Sequence, residues 1–285
     1  MDNLTKKLIH LVHSKQSSWK KIFSILKADS QMTDIYEGKY YSSLFPQEHN
    51  PLNSLHDINI DKLLSDYAAQ NIHIITILDD IYPERLKTIY QPPWMLFAKG
   101  DISLLKYEKS LAVVGSRDAT TYGLKAIDYL FPELINNRTL IISGLARGID
   151  THAHTTAIKL GGKTAAVIAG GFNNIYPKEN SKLARYMMDH QLVLSEYPPS
   201  ESPAKWQFPM RNRIISGLSK GTLVVEARKK SGSLITADYA LNEGREVFAV
   251  PGSILTHNSD GVHDLIQQGA KLIKNSQEIL EELNI

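Results

Sequence analysis

The sequence predicts an α/β protein whose mostly parallel sheet is covered by helices on both faces and preceded by a small all-α module. Three observations carry that prediction. From Ile72 onward, eight short β-branched apolar runs alternate with helical stretches, the alternation that parallel strands joined by crossover helices require. The runs are apolar almost throughout rather than alternating with polar residues, as expected of strands buried on both faces. Residues 1–65 contain no comparable series and instead place apolar residues at helical spacing.

Within that first module "LTKKLIHLVHS", "SWKKIFSILKAD" and "IDKLLSDYAAQ" read as three helices, with the polar, Tyr-rich "DIYEGKYYSSLFPQEHNP" before the third. A second domain is expected over 66–285. Its strands are "IHIITIL", "SLAVVGS", "TLIISGL", "KTAAVIAGG", "QLVLSEY", "GTLVVEA", "EVFAV" and "AKLIK", while "QPPWMLFAKGD" reads as a Pro-anchored extended segment, an added edge strand. No internal repeat or low-complexity tract interrupts the order.

Composition narrows the function. The chain has 285 residues with 32 Lys+Arg against 30 Asp+Glu, a net charge of only +2, so an anionic partner has to be met by a local patch. Such a patch exists: from Lys205 to Lys230 seven basic residues face one acidic residue, Glu226. The absence of cysteine excludes disulfides, Cys-ligated zinc, iron–sulfur clusters and thiol catalysis. The amino-terminal "MDNLTKKLIHLVHSKQ" has no signal-like apolar region, and no run approaches membrane-spanning length. A soluble, cytoplasmic protein is the expectation.

In open α/β sheets ligands bind beyond the carboxyl ends of the strands. Here those ends carry small or turn-forming residues: Gly115-Ser116-Arg117, Ser143-Gly144, Gly170-Gly171, Glu196-Tyr197-Pro198, Glu226-Ala227 and Pro251-Gly252. A glycine in that position is as often a tight turn as a ligand contact. Their accumulation at one rim points to a phosphate cradle built on Gly115, Ser143, Gly144, Gly170 and Gly171, with helix amino termini behind it. Arg117 adds a rigid fork of donors beside the Ser116 hydroxyl. In "AGGFNNIYPKEN", Lys178 is placed to reach a phosphate and Tyr176 or Phe172 to stack on a base, or the Tyr-Pro simply locks a turn. "FPMRNR" offers Arg211 and Arg213 beside an aromatic ring, either a solvated helix face or one wall of a groove for a single strand.

Other chemistries fit poorly. His152 and His154 are two residues apart on an expected helix and point about 200° apart, which defeats chelation. Neither GxxxxGK[ST] nor GxGxxG occurs, which argues against a P-loop ATPase and against NAD. Glu226, Ser231, Thr236 and Asp238 form no demonstrable acid–base pair or Ser/His/Asp order. No enzyme activity, cofactor or metal is expected.

The motifs "VVGSR", "SGLARGIDTHAH", "YPKEN", "SEYPP", "FPMRNRIISGLS", "VVEARKKSGSLITADYALNEGREVFAVPG" and "GVHDLIQQGAKL", in this order, closely resemble the DNA-processing protein A (DprA, or Smf) family. The likeness runs from about Tyr82 to the carboxyl terminus. It implies an extended Rossmann-like domain that binds single-stranded DNA without sequence preference, forms a homodimer, and helps load the RecA recombinase during natural transformation. It also implies a sterile-alpha-motif-like amino-terminal module and, in this chain, no carboxy-terminal winged helix. Carried over residue by residue, its DNA contacts fall on Ser116, Arg117, Lys178, Lys205, Arg211, Asn212 and Arg213, and its dimer face on His263, Leu265 and Ile266. Two rivals stand beside it: a phosphoribohydrolase-like nucleotide enzyme, whose PGGxGTxxE motif is missing after Pro251-Gly252, and a protein-interaction scaffold.

Overall fold

The structure, a computed structural model, describes residues 2–14, 17–33 and 57–283. The Tyr-rich stretch lies outside them. Two compact units are present, Met1–Tyr82 with Pro93–Phe97, and Pro83–Pro92 with Ala98–Ile285.

The first unit holds helices α1 (Asn3–His13), α2 (Trp19–Ala28) and α3 (Ile60–Ala69), then strand β1 (His73–Thr76). Each helix starts where the sequence supplies a cap: Asp2, Ser18 and Asn59 accept from the backbone N–H of Thr5, Lys21 and Lys62. Leu8, Leu11, Ile22, Ile25 and Met32 form its core. The unit extends past residue 65 to Tyr82 and takes in Pro93–Phe97; within it Tyr67 of α3 packs with His13 and Phe97, at ring separations of 5.7 and 5.5 Å. Strand β2 (Met95–Gly100), the extended segment after the prolines, begins in this unit.

The second unit opens with the short helix α4 (Glu84–Lys87). Then follow β3 (Ser110–Val114), α5 (Thr121–Asn136), β4 (Leu140–Ser143), α6 (Ile149–Lys159), β5 (Thr164–Ile168), α7 (Ser181–His190) and β6 (Leu192–Ser195). The second half continues with α8 (Gln207–Gly217), β7 (Gly221–Val224), α9 (Gly232–Asn242), β8 (Glu246–Ala249), α10 (Asp260–Gln267), β9 (Lys271–Leu272) and α11 (Ser276–Glu282). Seven strands stand in the order β6-β5-β4-β3-β7-β8-β9, every neighbouring pair parallel. Ala112 at the centre lies opposite Ile142 on one side and Thr222 on the other.

The register follows from burial. Leu111, Val113, Ile141, Leu223 and Phe248 pack against Ile127, Phe131 and Leu134 of α5, Ala153 of α6 and Ile279 of α11. Each large apolar side chain among them contributes about 1.5–3 kcal/mol by leaving water. The topology also fixes a site: the first crossovers run outward from β3 toward β6, and the chain then returns to β7 on the other side of β3. The carboxyl ends of β3 and β7 are therefore where crossover direction reverses and a crevice opens.

Candidate nucleic-acid interface

A cleft of about 790 Å³ occupies that crevice. One wall is the β3–α5 loop from Gly115 to Asp118; the others are Lys205–Asn212 at the start of α8 and Arg228 with Ser231–Thr236 at the start of α9. Local capping shapes the first wall. Thr120 caps α5, receiving the Gly123 N–H, while Glu226 at the end of the β7 run accepts from the Thr120 N–H at 2.9 Å and from its hydroxyl. Glu226 is thus 4% exposed and anchors a helix. Arg117, just upstream, projects into solvent.

Aromatic rings interleave with the cations. Phe208 lies beneath the Arg117 guanidinium, 5.9 Å from ring centroid to Cζ, and Tyr176 meets Phe208 edge-on at 5.5 Å. Tyr176 is 56% exposed, and Trp206, beside Lys205, is 61% exposed with its ring 6.0 Å from Tyr197. Exposed rings between cations offer π-faces to bases and charge to phosphates.

The predicted residues separate into two groups. Gly115, Ser116, Arg117, Lys205 and Asn212 line the cleft. Ser116 Oγ accepts from the Asp118 N–H at 3.1 Å, and Asn212 Nδ2 donates to the Gly232 carbonyl at 3.1 Å. Lys178 is exposed in the 3₁₀ turn Lys178–Asn180, two residues beyond Tyr176. That turn is held by Asn180, whose Nδ2 donates to Leu145 O and Thr151 Oγ1, both at 2.8 Å. Leu145 has φ 57° in the β4–α6 loop, a conformation unfavourable for a branched side chain that the bond from Asn180 helps to hold. Phe172, the alternative stacking ring, is 6% exposed.

The other group is turned inward. Ser143 Oγ donates to Val113 O at 2.6 Å, the Gly144 N–H is taken by Asp150, and Gly144 O receives Arg211 Nη1 at 2.5 Å. A Cβ on Gly144 would collide with that guanidinium, so this glycine serves close packing. Gly170 O accepts from Ser195 Oγ, and the Gly171 N–H donates to Glu201 O. The polar groups of these four residues are engaged within their own loops in place of the open backbone cradle expected of them; of that set Gly115 lines the cleft, and Gly144 a small adjoining pocket shared with Arg117, Tyr176 and Phe208.

The two arginines of "RNR" also differ from the expected solvent-facing pair. Helix α8 is buried over most of its length rather than amphipathic. Arg211 is 5% exposed at the cleft floor, donating to Gly144 and Val167 carbonyls. Arg213 is 3% exposed and grips both Glu196 oxygens through Nη2, at 2.6 and 2.8 Å. Through Nη2 this guanidinium ties α8 to the end of β6, while its Nε and Nη1 are buried without a partner among the described residues.

Buried charge continues under the floor. Burial pushes the Asp150 carboxyl up, against the pull of Arg211 and the Gly144 and Ala146 amides. Burial pulls Arg211 down to about 10, with Asp150 opposing and Arg117 adding to the shift. Burial, then the Arg211 charge, holds His154 neutral with its pKa down to about 3. His154 Nδ1 meets Thr164 Oγ1 at 2.6 Å, whereas His152 Nε2 faces Asp128 at 2.8 Å. Among the described residues no three His, Cys, Asp or Glu side chains converge on a metal position, and no helix is long and apolar enough to cross a membrane.

Helix α10 carries the expected dimer residues. Leu265 is 4% exposed within its own protomer, which removes it from any outward face; His263 and Ile266 are half-buried. His263 Nε2 donates to Gly252 O at 3.0 Å. Sequence reasoning missed Trp206, although an aromatic residue directly after Lys205 in "KWQF" was its signal.

Comparison with known proteins agrees with this geometry. The family model described as DNA recombination-mediator protein A matches residues 73–284. The chain is 51% identical over 224 residues to the DNA processing protein DprA of Bacillus subtilis, covering 79% of this chain and 75% of that one. It is 52% identical over 213 residues to DprA of Streptococcus pneumoniae, covering 75% of each. The X-ray structure of DNA processing protein A from Streptococcus pneumoniae superposes with a TM-score of 0.86 at 42% identity, over 99% of both chains. A Helicobacter pylori structure, reported for its single-stranded DNA binding mode, superposes with a TM-score of 0.67 at 30% identity, over 74% of this chain and 95% of that one. With its Rossmann-like sheet, its cleft at the β3/β7 reversal and these relatives, the chain belongs to the DNA recombination-mediator protein A family.

Proposed function

We propose that this protein binds single-stranded DNA without sequence preference at the β3/β7 cleft and passes the strand to the RecA recombinase during natural transformation. The observation that carries the binding is the set of exposed cations and rings at the cleft and directly beside it in the chain: Arg117 over Phe208, Tyr176 in the lining with Lys178 two residues on, and Lys205 in the lining with Trp206 next to it. Arg117, Lys178 and Lys205 hold phosphates, Asn212 and Ser116 supply polar contacts, and Tyr176 and Trp206 stack on bases irrespective of their identity. The role is non-enzymatic. Asp150 under the cleft floor and Glu226 behind its wall are engaged by backbone N–H groups, which suits structural rather than acid–base work, and the third carboxylate, Asp118, stands exposed on the β3–α5 wall. Two copies act together, in the cytoplasm where RecA and incoming strands meet.

Fluorescence anisotropy with single-stranded and duplex oligonucleotides tests the reading. Single strands bind more tightly, and Ala at Arg117, Lys178 or Lys205 weakens all sequences similarly. Each substitution flattens the salt slope by about 0.7, the increment for one phosphate left without its cation on a single strand, while Lys7→Ala changes nothing. Unchanged slopes in all three variants reject the assignment.

A further inference from the structure

Lys178 is the first member of a stripe that continues along helix α7. Lys182 and Arg185 follow four and three residues later, and all three are exposed. Lys178 lies in the 3₁₀ turn that leads into α7, and at 3.6 residues per turn Lys182 and Arg185 fall on one side of the helix, while Ala184 and Met187 are buried on the other. Among the described residues no carboxylate pairs with these three cations. Arg185 Nε reaches only its own helix, at Ser181 O, 3.4 Å away. The nearby Glu179 pairs with Arg147 at 3.7 Å instead.

Aromatic rings stand at both ends. Tyr176 precedes the stripe at the cleft mouth, and Tyr186, 44% exposed, follows Arg185 with its ring 4.7 Å from the His190 ring. Asp189 is exposed on the same side, in the last turn. A solvated helix has no need to keep two like charges unpaired within one turn, since Lys182 with Arg185 at i, i+3 is mildly unfavourable to the helix. A polyanion crossing that face supplies the missing counter-charge.

We infer that the single-strand track does not end at the cleft but leaves it past Lys178 and runs along α7, with phosphates on Lys182 and Arg185, a base against Tyr186, and Asp189 as its limit. The inference rests on the single-strand reading above. The extension sets footprint rather than core affinity, because a strand short enough to fill only the cleft does not reach it.

The test is anisotropy with a short and a long oligothymidylate, each across a salt series, on the full chain. For Lys182→Ala/Arg185→Ala the short strand binds as in the wild type. The long strand loses on the order of tenfold in affinity and its salt slope flattens by about 1.4, two phosphates at about 0.7 each. Asp189→Asn tightens the long strand alone, a gain that a merely destabilised fold does not produce. If Arg117→Ala weakens both lengths but the α7 double variant keeps the wild-type slope on the long strand, the track extension is wrong and the cleft reading stands. If the wild type binds neither strand, both readings fall together.

Discussion

His154 shows what a single buried residue does to the behaviour of this fold. Thr164 Oγ1 donates to Ile141 O at 2.8 Å, so its one proton is committed and His154 Nδ1 must be the donor toward it. Nε2 is then a bare acceptor, without a partner among the described residues. A proton there would place a charge in a fully buried position beside Arg211, hence the pKa of about 3. The sign follows: the unfolded histidine takes up a proton below about 6.5 while the folded one refuses it until about 3. Folding stability is therefore fully present above about 6.5 and falls as the pH drops through that window, by up to about 1.4 kcal/mol per pH unit. Urea titrations from pH 7 to 4 check this: wild type loses stability on acidification, and His154→Leu has a flatter acid limb whatever its starting stability. Equal limbs in the two proteins reject the assignment. Spacing alone sets the two histidines of "DTHAH" on different sides of α6, but which one is buried depends on Thr164 of β5, a contact distant in sequence.

At the scale of elements, the strands of the second unit were legible because parallel strands buried on both faces leave continuous apolar runs, and the expected extended segment holds strand β2, "MLFAKG". Helix α8 was not. Its sequence places Arg211, Asn212 and Arg213 within one turn, which reads as a wet surface, and nothing local announces the carbonyls and carboxylate that receive the guanidinium groups. Glu196 sits at the end of β6, seventeen residues from Arg213, and only the parallel order brings them together. Burial pushes the Glu196 carboxyl up and Arg213 draws it back, the balance typical of a pair whose members are costly when separated. Arg213→Ala should destabilise the fold by about 3–5 kcal/mol, because it strands a carboxylate. Arg213→Met with Glu196→Met should recover most of that loss, as an apolar replacement of the whole pair does. Thermal unfolding and single-strand affinity are measured together. Loss of DNA affinity in a double variant that is as stable as the wild type would make Arg213 a phosphate ligand after all, whereas unchanged affinity keeps it a structural residue.

The whole molecule has nearly balanced charge, so affinity for a polyanion has to come from local geometry and from joining sites. Joining is what the proposed second copy would provide. The outer end of the second unit's sheet is β9, whose Lys271 and Leu272 are both exposed, and α10 immediately precedes it in the chain. β9 is two residues long and carries Lys271, features that blunt an edge against strand pairing, so the proposed second copy is expected on α10 beside it, where pairing two identical helix faces would generate a closed two-fold dimer. On α10 the burial pattern divides the expected face: Val262 and Leu265 belong to the core, at 1% and 4% exposure, whereas Ile266 is only half-buried. A charge at Leu265 would unfold the protomer, but a charge at Ile266 meets solvent in the monomer and a neighbour only in the dimer. Ile266→Glu is therefore expected to give a folded monomer by light scattering and circular dichroism. It binds strands that fill one cleft about as well as the wild type, and long strands roughly tenfold less tightly or worse, because two linked sites no longer raise each other's effective concentration. A wild-type monomer at micromolar concentration would remove the dimer, and an unfolded Ile266→Glu would assign Ile266 to the core with Leu265. Both changes flatten the salt slope on a long strand, since a second cleft brings its own phosphate contacts, and light scattering separates them: Ile266→Glu changes the oligomeric state, whereas Lys182→Ala/Arg185→Ala leaves it as in the wild type.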